Sequence, residues 1–237
     1  MGRAQSRTEK EKTHAAIYMK SNTILNKHQS AILDRISNDD FLSGTFYFSG
    51  GTALSDMYLH HRESVDLDFF TPQLYDSQSI VSRLTSWSQD LQFTLAGEYV
   101  EPTHMYFLTF ADDSKLKVDF AHYPYKQLES MKPYRNKLKV DSLRDIAANK
   151  LLTLTQRTEV KDFVDIYFLL QKFTFWNLRD DVQTKFHMEI DPFIFAGDCM
   201  EVQEFDFLPK MIQPLDLLQI QNFYKQLAVK LGKKSIE

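Results

Sequence analysis

Phe48 to Phe70, FSGGTALSDMYLHHRESVDLDFF, sets the organisation of this chain. A short apolar run, Phe46-Tyr47-Phe48, meets Gly50-Gly51-Thr52. A helix-like segment follows from Thr52, with Leu54, Met57, Tyr58 and His61 on neighbouring turns. Ser64-Val65-Asp66-Leu67-Asp68-Phe69 then alternates polar with apolar, the period of a half-buried strand. Strand, glycine turn, helix and strand therefore succeed one another within one short unit. Such a unit presents backbone N–H groups at a helix start and two carboxylates on a neighbouring strand.

Moving outward, the spacing predicts a helix over residues 22–37, with Ile24, Leu25, His28, Ile32, Leu33 and Ile36 on one stripe. His28 there reads as a packed histidine rather than a ligand. Residues 1–12 are polar and expected to fray. The Met1-Gly2…Ser6 match to a myristoylation pattern is read as chance. Pro72 closes the second strand, and residues 77–89 read as a helix. Strands are expected at 91–95, 104–110 and 115–120, the last two joined by the turn Ala111-Asp112-Asp113-Ser114. From Asp141 the period becomes helical. Ser142 and Asp145 form a capping-box pattern for a helix to about Arg157, and a second helix covers 159–172. A last amphipathic helix carries Leu217, Ile220, Tyr224, Leu227 and Leu231. The expected class is α+β: a mixed sheet flanked by helices over 1–140, then a mainly helical part over 141–237 packed on it.

Composition sets bounds. Nineteen Phe and eleven Tyr promise ring-rich packing, and the single Cys199 excludes an intramolecular disulfide or a cysteine zinc cage. A reducing, cytoplasmic setting fits, and no apolar run approaches a membrane span. The net charge of −4 argues against a nucleic-acid-coating protein. Residues 115–161 nevertheless hold eleven Lys/Arg against five Asp/Glu, a local +6 that leaves −10 on the remainder. That block can face phosphates or simply be a solvated surface.

On a strand Ser64, Asp66 and Asp68 would share one face, and Lys117 and Asp119 would share a face of the later strand. Like charges at that spacing call for a cation, and hard oxygen ligands suit Mg²⁺ or Mn²⁺. If the two strands are neighbours, Asp119 becomes a third carboxylate, a ligand and a general base. Such a site would hold the triphosphate of an NTP and activate an attacking hydroxyl. Lys117 would approach the phosphates or neutralise the cluster. Gly50, Gly51 and Thr52 offer a phosphate cradle, or only a turn with an N-cap. Lys150 falls inside the apolar stripe Leu143, Ile146, Ala147, Leu151, Leu154 and so needs an anionic partner. A triphosphate would serve, as would Asp162 and Asp165.

Gly50-Gly51-Thr52-Ala53-Leu54, His61-Arg62-x-Ser64-x-Asp66-Leu67-Asp68-Phe69, Val118-Asp119, Asn149-Lys150-Leu151 and Lys161-Asp162-x-x-Asp165-Ile166-Tyr167, in that order, resemble the AbiEii/AbiGii-type nucleotidyltransferase family over about residues 45–170. The resemblance implies a minimal nucleotidyltransferase core followed by a helical part. It implies an NTP-dependent nucleotidyltransferase that moves an NMP onto an acceptor, in some relatives a tRNA 3′ end. It also implies a toxin of a bacterial toxin–antitoxin or phage-defence system, with a cognate antitoxin as partner. By position, Asp66, Asp68 and Asp119 become metal ligands, Gly50, Gly51 and Thr52 hold phosphates, and Lys150 contacts nucleotide. Ser64 and Arg62 belong to the motif, and Asp162 gains a functional reading beside its structural one. Two rivals stay open: a nucleotide-binding protein without turnover, and an interaction module acting through its last helix.

Overall fold

The computed structural model describes residues 23–234. The fraying and myristoylation expectations lie outside those residues, whereas the helix predicted over residues 22–37 is corrected: residues 23–26 are not helical, and it begins at Lys27 because the Asn26 side chain caps it. A seven-stranded mixed sheet carries the fold; in the chain order β1 to β7 given next, its spatial order is 3-4-5-2-1-7-6. Its strands are β1 (Tyr47–Ser49), β2 (Leu67–Thr71), β3 (Phe93–Val100), β4 (Thr103–Phe110), β5 (Lys115–His122), β6 (Lys132–Arg135) and β7 (Leu138–Val140). The β3-β4-β5 meander is antiparallel, as the sequence suggests, and joins β2 through a parallel pairing. β1 pairs antiparallel with β2 and parallel with β7.

The helices follow their sequence signals closely. α1 (Lys27–Asn38) starts at a capping box of Asn26 with Gln29 and buries Ile32, Leu33 and Ile36. Its His28 is packed, stacked on Phe110 at 3.7 Å with Nε2 3.0 Å from Asp112. α2 (Asp40–Thr45) leads into β1, and α4 (Ser77–Leu91) extends the predicted helix to Gln92, which ends it in the left-handed region. That is why the next strand begins at Phe93 rather than Leu91. After the sheet come α5 (Leu143–Leu154), α6 (Val160–Leu169), α7 (Phe175–Phe186), α8 (Pro192–Met200) and α9 (Leu217–Lys234). Ile220, Tyr224 and Leu231 of α9 are buried, and the Tyr224 hydroxyl donates to Phe163 O at 2.7 Å. Among the described residues no helix is long and apolar enough to cross a membrane.

Two further expectations are corrected. The helix after the glycine turn begins at Gly50, as α3 (Gly50–Ala53), then widens into a π-helical turn over Leu54–Leu59. His60, at φ 46°, ends it and turns the fully buried His61 inward. The strand predicted from Ser64 begins only at Leu67, so Ser64 and Asp66 precede β2 instead of lying on its face. Their carbonyls are already taken: Gln29 Nε2 donates to Ser64 O at 2.7 Å and Thr52 Oγ1 donates to Asp66 O. Side-chain donors there replace the ladder a longer strand would need. The β6-β7 hairpin is an addition that the sequence reading lacked.

β7 runs into a buried acidic junction. Asp141 and Asp145 are both fully buried beside a single buried Lys185, whose Nζ donates to Asp145 Oδ1 at 2.8 Å. Ser49 Oγ donates to Asp141 Oδ2 at 2.9 Å, and the Gln127 amide, with its NH₂ turned inward, reaches both carboxyls at 2.7 and 2.9 Å. Burial, reinforced by the Asp145 charge, pushes the Asp141 carboxyl up to about 7. A carboxyl with a higher pKa folded than unfolded binds more protons in the native state. Its contribution to stability is complete below about pH 4 and is lost as pH rises through about 7. Asp141→Asn should therefore gain on wild type between pH 5 and pH 8, by on the order of 2–3 kcal/mol. Urea unfolding of both proteins across that range measures it.

Candidate active site

Three strands bring the glycine turn and the carboxylates into one row. Ser49 of β1 lies opposite Asp68 of β2, and Asp68 lies beside Asp119 of β5 in the parallel ladder. Register partners present their side chains to the same face, so Asp68 and Asp119 are immediate neighbours there. Asp66 enters from the segment just before β2 and lines the same cavity.

The glycines have a steric reason to be where they are. Gly50 adopts φ +73°, and a Cβ there would stand 1.9 Å from Asp68 Oδ2. A Cβ on Gly51 would stand 2.8 Å from Arg62 Nη2 and 3.1 Å from Ser64 Oγ. Asp68, Arg62 and Ser64 can close on the helix start only because no side chain intervenes. Gly50→Ala should cost roughly 1–2 kcal/mol for the left-handed backbone alone and displace Asp68 as well. Denaturant midpoints, with NTP binding measured alongside, check both effects. Thr52 is buried, does not line the cavity, and braces Asp66 O from beneath.

The carboxylates are poorly neutralised. Burial and the charges of Asp119 and Asp66 push Asp68 up to about 6. Burial also raises Asp119, against the opposing pull of Lys117. Lys117 Nζ donates to Asp119 Oδ2 at 2.6 Å, while Asp119 Oδ1 is buried with no hydrogen-bond partner. A hard-oxygen set with an orphaned carboxylate oxygen and an excess of negative charge fits a divalent cation. No group of three such side chains forms a preformed cage among the described residues. Substrate oxygens and water would have to complete the shell, as Mg²⁺ commonly requires.

A cationic network stands behind the row. Lys150 Nζ lies 2.8 Å from Asp162 Oδ1 and 2.7 Å from Asp165 Oδ2. Asp165, fully buried, also accepts from Arg62 Nε and Nη2 at 2.7 and 2.8 Å and from His61 Nε2 at 2.7 Å. The Lys150 and Arg62 charges, with the hydrogen bonds from His61 and Arg62, outweigh burial and hold Asp165 well below the usual carboxylate range. Burial lowers the His61 pKa, so a neutral imidazole donates from Nε2. Arg157 Nε reaches the other oxygen of Asp162 at 2.8 Å.

Both sets open onto one cavity of about 330 Å³. Gly51, Arg62, Ser64, Asp66, Asp68, Lys117, Asp119 and Lys150 line it. The structure thus gathers most of the residues picked from sequence. Gly50, Thr52 and Asp162 stand outside the wall and support it. Arg157, Lys161, Pro209 and Lys210 also line the cavity; none of them was a candidate site residue, although Lys161 stands in the motif run before Asp162 and both it and Arg157 fall in the basic block. Arg157 and Lys161 frame Asp162 in the run Arg157-Thr-Glu-Val-Lys161-Asp162, a local charge cluster that could have flagged them. No local signal marks Pro209-Lys210, which arrive from a distant segment.

Comparison with known proteins bears on the family and the fold. The chain is 32% identical over 161 residues to the uncharacterized protein aq_aa25 of Aquifex aeolicus (strain VF5), covering 66% of this chain and 71% of that one. The crystal structure of a candidate nucleotidyltransferase from H. pylori superposes with a TM-score of 0.56 at 18% identity, covering 90% of this chain and 99% of that one. JHP933 from Helicobacter pylori gives 0.52 at 19% identity, with 88% and 93% covered. Those two likenesses concern the fold alone. Residues 31–231 match the family described as Nucleotidyl transferase AbiEii toxin, Type IV TA system. With that span matched and the glycine turn, carboxylate row and lysine in place, the chain belongs to the AbiEii family of nucleotidyltransferase toxins.

Proposed function

We propose that this nucleotidyltransferase moves an NMP from an NTP onto a hydroxyl of an RNA acceptor, a tRNA 3′ end in the first instance, and acts as the toxin of a toxin–antitoxin pair. One observation carries the reading: Asp68 and Asp119 are neighbours on the β2-β5 ladder, beside the glycine turn, with Asp119 Oδ1 unpartnered. Asp66, Asp68 and Asp119 would hold Mg²⁺ or Mn²⁺, which neutralises charge on the phosphates and makes the acceptor hydroxyl easier to deprotonate. Gly51 lines the cavity at the start of α3, where it lets Arg62 and Ser64 approach, and Lys150 and Arg157 face the same space. The acceptor hydroxyl oxygen bonds to the α-phosphorus as the bond to the β-phosphate oxygen breaks and pyrophosphate leaves. The hydroxyl proton passes to Asp119, whose Oδ1 has no hydrogen-bond partner of its own. Lys150, pinned by Asp162 and Asp165, stays charged and fixed.

The test is incubation with Mg²⁺, each labelled NTP and total tRNA, comparing wild type with Asp66→Ala. Label should enter RNA with wild type only. Equal transfer by both proteins would remove this site as the catalyst. NTP binding without transfer to any acceptor would favour a nucleotide-binding protein without turnover.

A further inference from the structure

Residues 205–216 form an irregular strap between the turn after α8 and α9, and it borders the cavity at Pro209 and Lys210. Its main chain is tied to the segment that leads into the site. Glu63 N donates to Lys210 O at 2.8 Å, and Ile212 N and Gln213 N both donate to His61 O, at 2.9 and 3.0 Å. Gln213 Nε2 donates to Leu59 O at 2.5 Å, and Arg62 bridges to Met211. Phe205 anchors the strap on Phe163, ring centroids 5.0 Å apart. The strap is therefore registered to His61, Arg62 and Glu63, and through Arg62 to Asp165.

What it brings to the wall is Pro209 and Lys210. Lys210 Nζ pairs with Glu63 Oε1 at 2.6 Å, both side chains being largely exposed at the rim of the cavity. An exposed pair of this kind is weak, and a phosphate chain carrying several charges outcompetes a single carboxylate for an ammonium group. Pro209 restricts the backbone just before it, so the lysine is presented from a stiff position.

We propose that Lys210 is a positioning residue for the phosphate chain of the nucleotide, held by Glu63 when the cavity is empty and released to the phosphates when an NTP enters. This rests on the nucleotidyl-transfer reading of the cavity. Lys210 and Glu63 then have opposite effects on NTP binding, because Glu63 competes for the same ammonium group. A purely structural clasp makes their effects equal, since either substitution breaks the same bridge.

The experiment is calorimetric titration of each NTP with Mg²⁺ into wild type, Lys210→Ala, Lys210→Arg and Glu63→Gln, with the matching nucleosides as phosphate-free probes. Lys210→Ala should weaken NTP binding roughly tenfold, with Lys210→Arg restoring most of it. Glu63→Gln should leave binding unchanged or tighten it about two- to threefold. Nucleoside binding should be the same in all four proteins. Equal weakening by Lys210→Ala and Glu63→Gln overturns the proposal in favour of a clasp. Unchanged NTP binding in Lys210→Ala with a raised KM for RNA overturns it in favour of an acceptor contact. Absence of NTP binding by wild type overturns the cavity reading itself, and this proposal with it.

Discussion

Asp68→Asn should purify as a folded protein, at least as stable as wild type, and transfer nucleotide more slowly by about 10³-fold or more. The two halves of that expectation come from the same crowding. Asp68 sits against Gly50 on one side and Asp119 on the other, with Asp66 adding a third like charge. Lys117 is committed to Asp119, so the cluster carries more negative charge than its neighbours cancel. An isosteric amide relieves that repulsion and keeps the shape that the glycine turn requires. It also removes a charged oxygen from the set that would hold the cation, and the transition state loses that stabilisation. A thermal melt beside a transfer assay reads both. A variant that is inactive because it unfolds would contradict the assignment, since Asp68 would then be structural.

Asp165→Asn should be the most destabilising of the conservative changes, costing about 3–5 kcal/mol. Its two oxygens accept from Arg62 and His61 and pair with Lys150, and all of these groups are buried or nearly so. Removing the charge takes from the Arg62 guanidinium the carboxylate it is hydrogen-bonded to and leaves Lys150 paired with Asp162 alone. The sign with pH follows from the depressed pKa. The contribution is present above the unfolded carboxylate value of about 4 and is lost as pH falls below it. The gap between wild type and variant should therefore hold from neutral pH down to about pH 4 and narrow in stronger acid. Asp112, in an exposed pair with Lys27 at 2.7 Å, supplies the contrast. Its Asn variant should change stability little, because solvent screens that pair.

Local periodicity made most of the sheet readable. The alternations around Asp68 and Asp119 place the core residues Leu67, Phe69, Val118 and Phe120, all fully buried, and so orient the carboxylates. The alternation misled only upstream of Leu67. There Gln29 and Thr52, remote in sequence, occupy the carbonyls of Ser64 and Asp66. The β6-β7 hairpin escaped notice because strands of four and three residues, turned through Asn136 at φ 42°, are too short to display a period. Lys150 announced itself as a charge within an apolar stripe that needs an anionic partner, and Asp162 and Asp165 pair with it. The glycines were legible as a turn. That they make room for Asp68, Arg62 and Ser64 is a tertiary fact. Pro209 and Lys210 reach the cavity through backbone hydrogen bonds to residues about 150 positions earlier, which leave no mark on local composition.

The most direct measurement follows the two ends of the triphosphate. Wild type and Asp66→Ala are incubated with Mg²⁺, total tRNA and NTP labelled either at the α- or at the γ-phosphate. Wild type should place α-label on RNA and release γ-label as pyrophosphate, and Asp66→Ala should do neither. Transfer of γ-label to RNA, or α-label transfer that survives Asp66→Ala, would contradict nucleotidyl transfer at this carboxylate row.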